Sequence, residues 1–186
     1  MNGVAFLSAL VIGMLLAETR VSRRHERALR ARGAVAPPGD VYVLMKWLYP
    51  LAFVVMGAEG LWRAHAAGYG PASALTSGEP AWIVSGALLF AGSKALKYWA
   101  IQSLGERWTF RVFVVADAPL VTTGPYRFVT HPNYIAVVGE LVSTAMMVGA
   151  AVSGPIMTGA FGVALWARIR FENRILRSMG HPLRLD

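Results

Sequence analysis

Long apolar stretches alternate along this chain with shorter segments rich in arginine, proline and glycine. The first apolar stretch runs from about Asn2 to Thr19, close to the ~17-residue minimum for a helix crossing the hydrocarbon core of a bilayer. No basic residue precedes its Val4–Ala17 block and no small-residue cleavage site follows, so it reads as a retained span rather than a secretory leader. An arginine-rich segment then continues the helix out of the membrane and breaks at Ala36-Pro37-Pro38-Gly39. The second span is placed at Val41 to Trp62, and a Gly/Pro/Ser/Ala-rich loop follows from Arg63 to Pro80. The third span covers Ala81 to Ile101, with Lys94 and Lys97 near its far end.

The longest polar connection runs from Gln102 to Thr130; Arg111 to Val115 suits a short extended stretch, and Pro119 and Gly124-Pro125 mark turns. A fourth span starts at Pro132 or Asn133, since proline suits the first helical turn, and runs to Ala151. Ser153-Gly154-Pro155 predicts a tight reversal into a fifth span from about Ile156. That span passes into a charged helical tail, Arg168 to Met179, ended by Gly180-His181-Pro182. The pattern predicts an all-α integral membrane protein, a single membrane domain over residues 1–186 with about five transmembrane helices.

Composition agrees. The apolar fraction is 55% and the charged fraction 15%, against about 25% charged in ordinary soluble domains. The net charge of +8 raises nucleic acid as a partner, but most basic residues flank apolar blocks, which fits membrane topology and anionic lipid instead. Six arginines follow span one, Arg63 alone follows span two, Arg107, Arg111 and Arg127 follow span three, and none lies between spans four and five. Basic residues accumulate on the cytoplasmic side, so the N-terminus is predicted outside and the C-terminus inside. The absence of cysteine excludes disulfides and thiolate chemistry. His25, His65 and His181 are isolated, and no metal site is read into them.

Two polar clusters fall on the cytoplasmic side. One holds Gly124-Pro125-Tyr126-Arg127 and His131-Pro132-Asn133-Tyr134 at the mouth of span four; the other holds Arg168, Arg170, Glu172, Asn173 and Arg174. Arg168 and Glu172, four apart, share a helical face. A helix N-terminus near Asn133 offers free N–H groups to a carboxylate, and Glu172 suits an ammonium or a ribose hydroxyl, so the groups could hold a zwitterionic cofactor. Two solvated collars would give the same pattern. Glu140, two turns below His131 inside a predicted span, is a candidate base or substrate contact. A helix–helix hydrogen bond from a protonated Glu140 is the alternative. Glu59 also falls within a predicted span.

The string GPYRFVTHPNY, an apolar span and then RIRFEN resemble the isoprenylcysteine carboxyl methyltransferase family of integral membrane enzymes, from about Trp99 to Arg177. The flanks SRRHERALRARGAV and YWAIQSLGERW resemble a bacterial branch whose members methylate long-chain alkylpyrones or alkylresorcinols. The resemblance implies S-adenosylmethionine as cofactor, methyl transfer to oxygen on a lipid-tailed acceptor, and a bacterial inner membrane location. Residues 1–101 would then be an acceptor-side scaffold and 102–186 the catalytic region, with the cofactor pocket between the helix 3–4 connection and the last helix. By position, Tyr126, His131, Pro132, Asn133, Tyr134 and Glu172 would contact the cofactor, Ala118, Pro119, Leu120 and Val121 would line it through backbone, and Arg168 would face the acceptor. The acceptor would be an isoprenylcysteine-type carboxylate or, slightly favoured, an alkylpyrone or alkylresorcinol hydroxyl. Arg168 could hold the first bidentately or stabilise the oxyanion of the second. The chain departs from the family pattern at Thr130, where an Arg is usual, and at Ala136, where a Gly is. The competing classes are a membrane sterol-reductase-like enzyme using NADPH and a non-enzymatic lipid-binding bundle.

Overall fold

The computed structural model describes residues 3–68, 80–114 and 119–178. The predicted loop between spans two and three falls largely outside these residues, as does the Gly180-His181-Pro182 stop. Among the described residues five long helices make the fold: α1 (Gly3–Ala31), α2 (Tyr42–Ala66), α3 (Pro80–Leu104), α4 (Pro132–Val148) and α5 (Ser153–Ser178). Short 3-10 turns at Gly105–Arg107 and Gly124–Arg127 interrupt the α3–α4 connection. Among the described residues there is no strand; the stretch expected at Arg111–Val115 contributes one isolated antiparallel bridge, Val35 to Val114. Among the described residues one helix, Tyr42–Ala66, is by itself long and apolar enough to cross a membrane on length and composition.

A continuous core draws on every helix: Val4, Leu7 and Val11 from α1, Phe53 and Met56 from α2, Phe90 from α3, Leu141 from α4, and Phe161 and Leu165 from α5. Large apolar side chains also cover the outside, among them Trp47, Trp62, Leu88, Ile156, Val163 and Trp166. Such an extensive exposed apolar surface is unusual for a protein that faces only water. Trp108, within the α3–α4 connection, is buried, and its indole N–H reaches Asn133 Oδ1 at 3.4 Å.

The turn between α4 and α5 lies earlier than Ser153-Gly154-Pro155. Gly149 takes φ +69°, the left-handed conformation that ends a helix most cheaply in glycine, and the Ala150 N–H returns to the Ala145 carbonyl at 2.9 Å. Ser153 already opens α5, so Pro155 falls in its first turn, where no N–H is needed. Glu59 at the end of α2 receives the Val152 and Ser153 N–H groups at 3.1 and 2.6 Å and pairs with Arg63 at 2.6 Å. A carboxylate suits the positive end of α5, which gives Glu59 a structural occupation.

Close packing of the helices rests on small residues. A Cβ at Gly86 would meet Met147 Cγ at 2.8 Å and the Ser143 carbonyl at 3.0 Å, and one at Gly60 would strike the Val148 carbonyl oxygen. Gly159 and Gly162 differ: nothing lies within 4 Å of an added Cβ at either position. We therefore expect Gly60→Ala to lower stability by about 1–3 kcal/mol through overpacking, while Gly159→Ala is neutral or slightly stabilising through helix propensity. Unfolding midpoints of the two variants in one detergent check this.

Candidate functional site at the α4–α5 end of the bundle

Glu172 is the hub of the polar cluster. Its carboxylate accepts hydrogen bonds from the Tyr134 hydroxyl and from Arg168 Nε, the latter at 2.8 Å, and His131 Nδ1 lies 3.6 Å away. The His131 and Tyr134 rings stack at 5.2 Å between centroids. Two sequence segments about forty residues apart thus meet at one point: the start of α4 brings His131 and Tyr134, and the second half of α5 brings Arg168 and Glu172. Tyr126, in the turn before α4, is half-buried, and burial together with the Glu172 charge raises its pKa above the ordinary phenolic range. The remaining members differ in setting. Pro132 is buried at the first turn of α4, and Asn133 accepts from Trp108. Pro119 and Leu120 are exposed and Val121 is half-buried, with Arg107 donating to the Pro119 carbonyl at 2.5 Å. Ala118 lies outside the described residues.

The start of α4 offers fewer free donors than its sequence suggests. Pro132 has no N–H, and those of Tyr134 and Ile135 both turn back to the His131 carbonyl, at 3.0 and 3.4 Å. Asn133 retains the N–H this end can present to a ligand. His131 adds another group, since its Nε2 is buried without a hydrogen-bond partner, a costly condition that a bound polar ligand would relieve.

Arg168 is only 4% exposed. Besides Glu172 it donates through Nη1 to Asp40 and through Nη2 to the Phe110 carbonyl at 2.9 Å. Burial disfavours its charge, but Tyr134, Glu172 and Asp40 outweigh that and hold its pKa above the usual guanidinium value. The segment around Phe110 is stitched across the bundle end. The Trp108 carbonyl bonds His25 at 2.8 Å, the Phe110 N–H reaches Ser22 Oγ at 2.9 Å, and the Val112 N–H reaches Asp40 Oδ2 at 3.1 Å. Arg111 lies over the Tyr42 ring.

Glu140 does not belong to this cluster. It sits about 13 Å farther along α4 than His131, at ~1.5 Å of rise per residue, within a buried group of charges. Lys94 Nζ lies 2.9 Å from Glu18 and 3.1 Å from Glu140, Lys97 Nζ lies 2.6 and 3.3 Å from the same two carboxylates, and Tyr49 donates to Glu140. Two carboxylates and two ammonium groups balance, and with Tyr49 they join α1, α2, α3 and α4. Glu140 stands out in the sequence as a carboxylate inside a predicted span, and the signal for its partners is two lysines three apart in an apolar span, a pairing that needs buried carboxylates. No group of His, Asp and Glu among the described residues could hold a metal ion.

Residues 85–178, just over half of the chain, match the isoprenylcysteine carboxyl methyltransferase (ICMT) family, and the chain belongs to it. Membership places it in a class of membrane-embedded methyltransferases. The match begins within α3 and takes in the whole α4–α5 cluster, whereas Glu18, Asp40 and Tyr49 lie before it. The chain is also 28% identical over 172 residues to the uncharacterized protein YpbQ of Bacillus subtilis (strain 168), covering 92% of this chain and 95% of that one. No solved structure matches it.

Proposed function

We propose that this chain is a multi-pass, S-adenosylmethionine-dependent O-methyltransferase whose five helices cross a bacterial inner membrane, with the α4–α5 cluster at the cytoplasmic face. The observation that carries this reading is the meeting of Tyr134, His131 and Arg168 on Glu172. When bound, S-adenosylmethionine supplies a methyl group made electrophilic by its sulfonium. Tyr126, His131, Pro132, Asn133, Tyr134 and Glu172 would hold it, and Pro119 to Val121 would border it. The residues fit: Glu172 provides an acidic partner for an ammonium, His131 Nε2 an unpaired polar atom, and the stacked His131 and Tyr134 rings a flat surface. Transfer of a methyl group is an in-line displacement, so the work of the protein is alignment and water exclusion, worth on the order of 7–11 kcal/mol.

Arg168 is the residue placed to meet the acceptor oxygen. It already faces the carboxylates of Asp40 and Glu172. A third carboxylate would add negative charge to a buried site that holds two against one guanidinium, whereas a hydroxyl arrives neutral and gives up its proton, to water or to the Glu172 carboxylate beside Arg168, as its oxygen bonds the methyl group and the carbon–sulfur bond breaks. This favours a phenolic or enolic acceptor on an alkylresorcinol or alkylpyrone over an isoprenylcysteine carboxylate. The apolar outer surface suits an acceptor tail that enters from lipid. Purified protein given labelled methyl donor is expected to label an alkylresorcinol or alkylpyrone faster than a prenylated cysteine. The opposite preference would reverse the acceptor assignment, and no transfer to either class would count against the O-methyltransferase reading.

A further inference from the structure

Asp40 ties the first half of the chain to Arg168. It follows Pro37-Pro38-Gly39, and Gly39 adopts φ +91°, which glycine alone takes readily. That turn sets the Asp40 carboxylate among three donors: Oδ1 accepts from the Tyr42 N–H at 3.0 Å and from Arg168 Nη1, and Oδ2 accepts from the Val112 N–H at 3.1 Å. The side chain is 12% exposed. The Arg168 guanidinium is consequently gripped from three segments, by Asp40 before α2, by the Phe110 carbonyl at 2.9 Å and by Glu172 on its own helix at 2.8 Å. These contacts use three of the five N–H donors of a rigid planar fork. Without Asp40, Glu172 would be the sole carboxylate in this set, and the side chain would regain rotamer freedom.

We propose that Asp40 is a positioning residue that fixes the Arg168 guanidinium before the acceptor binds. The inference rests on the reading of Arg168 as the acceptor contact. It also means that a loop before the family-matched region completes the site.

Asp40→Asn removes the charge while keeping the size. It is expected to lower kcat for methyl transfer about 10–100-fold, the scale on which small misplacements act, and to leave S-adenosylhomocysteine affinity within about twofold, because Asp40 touches Arg168 and not the predicted cofactor residues. Asp40→Glu, which keeps the carboxylate, should retain more turnover than Asp40→Asn. In an Arg168→Ala background the Asp40→Asn change should add no further loss. A second readout does not need turnover: with isotope-labelled arginine, the Arg168 Nε–H resonance, assigned through Arg168→Lys, should be sharp and slow to exchange in the native protein and broadened in Asp40→Asn. An unchanged Arg168 resonance, additive losses in the double variant, or a fall in cofactor affinity that matches the fall in kcat would each overturn the proposal. A native protein without transferase activity would instead strike at the functional reading, and the Arg168 resonance would still decide whether Asp40 holds the guanidinium.

Discussion

Glu172→Ala should weaken S-adenosylhomocysteine binding by about 10–100-fold, the loss expected when a charge-assisted hydrogen bond worth about 1.5–3 kcal/mol is removed. Arg168→Ala should instead depress turnover and acceptor binding and leave cofactor affinity comparatively intact. The two side chains are four residues apart and in contact at 2.8 Å, so a general disturbance of α5 would affect both functions in both variants. A division of effects between them is therefore informative. Glu172 is joined to His131 and Tyr134 on the proposed cofactor side, whereas Arg168 turns to Asp40 and Phe110. Separate titrations with cofactor product and acceptor would overturn the assignment if the order came out inverted.

The second large effect concerns stability. Lys97 is 2% exposed and lies between Glu18 and Glu140, which are 3% and 1% exposed. Lys97→Met leaves two buried carboxylates facing Lys94 alone, and breaking a buried pair from one side costs about 3–5 kcal/mol. The double change Lys97→Met with Glu18→Met removes one charge of each sign and restores neutrality. It should recover much of that loss and be more stable than either single variant. Reversible unfolding in mixed micelles measures all three, and a double variant whose destabilisation equals the sum of the singles would show that the four charges do not act as one group. A balanced, fully enclosed set of charges is also what an apolar bundle can accommodate, since an unpaired ion inside a membrane is costly.

The sequence made the helical order legible because apolar blocks and proline or glycine punctuation are local signals. Pro132 at the start of α4, and the Arg168–Glu172 spacing on α5, are local in the same sense. Asp40 left no such mark: it is a lone carboxylate after a proline-glycine turn, and its partner lies 128 residues away. Glu18 read as the polar border of an apolar stretch, because the lysines that neutralise it sit on another helix 76 and more residues on. The α4–α5 turn falls earlier than the conspicuous proline motif suggests, because the helix ending depends on Gly149 reaching a left-handed conformation. The α4 start has fewer free donors than its position in the sequence suggests, because two N–H groups converge on the His131 carbonyl. Trp108 carries no local sign of its burial, because its partner Asn133 lies at the far end of the α3–α4 connection.

Under the proposed function, Tyr126, His131, Tyr134 and Glu172 form a site for a sulfonium nucleoside. Calorimetric titration of the native protein in lipid nanodiscs, with S-adenosylhomocysteine and with NADPH in parallel, tests it most directly. Saturable binding of S-adenosylhomocysteine, sharply weakened by Glu172→Ala and absent for NADPH, is the predicted result. Binding of NADPH in its place, or S-adenosylhomocysteine binding that Glu172→Ala leaves untouched, would contradict it.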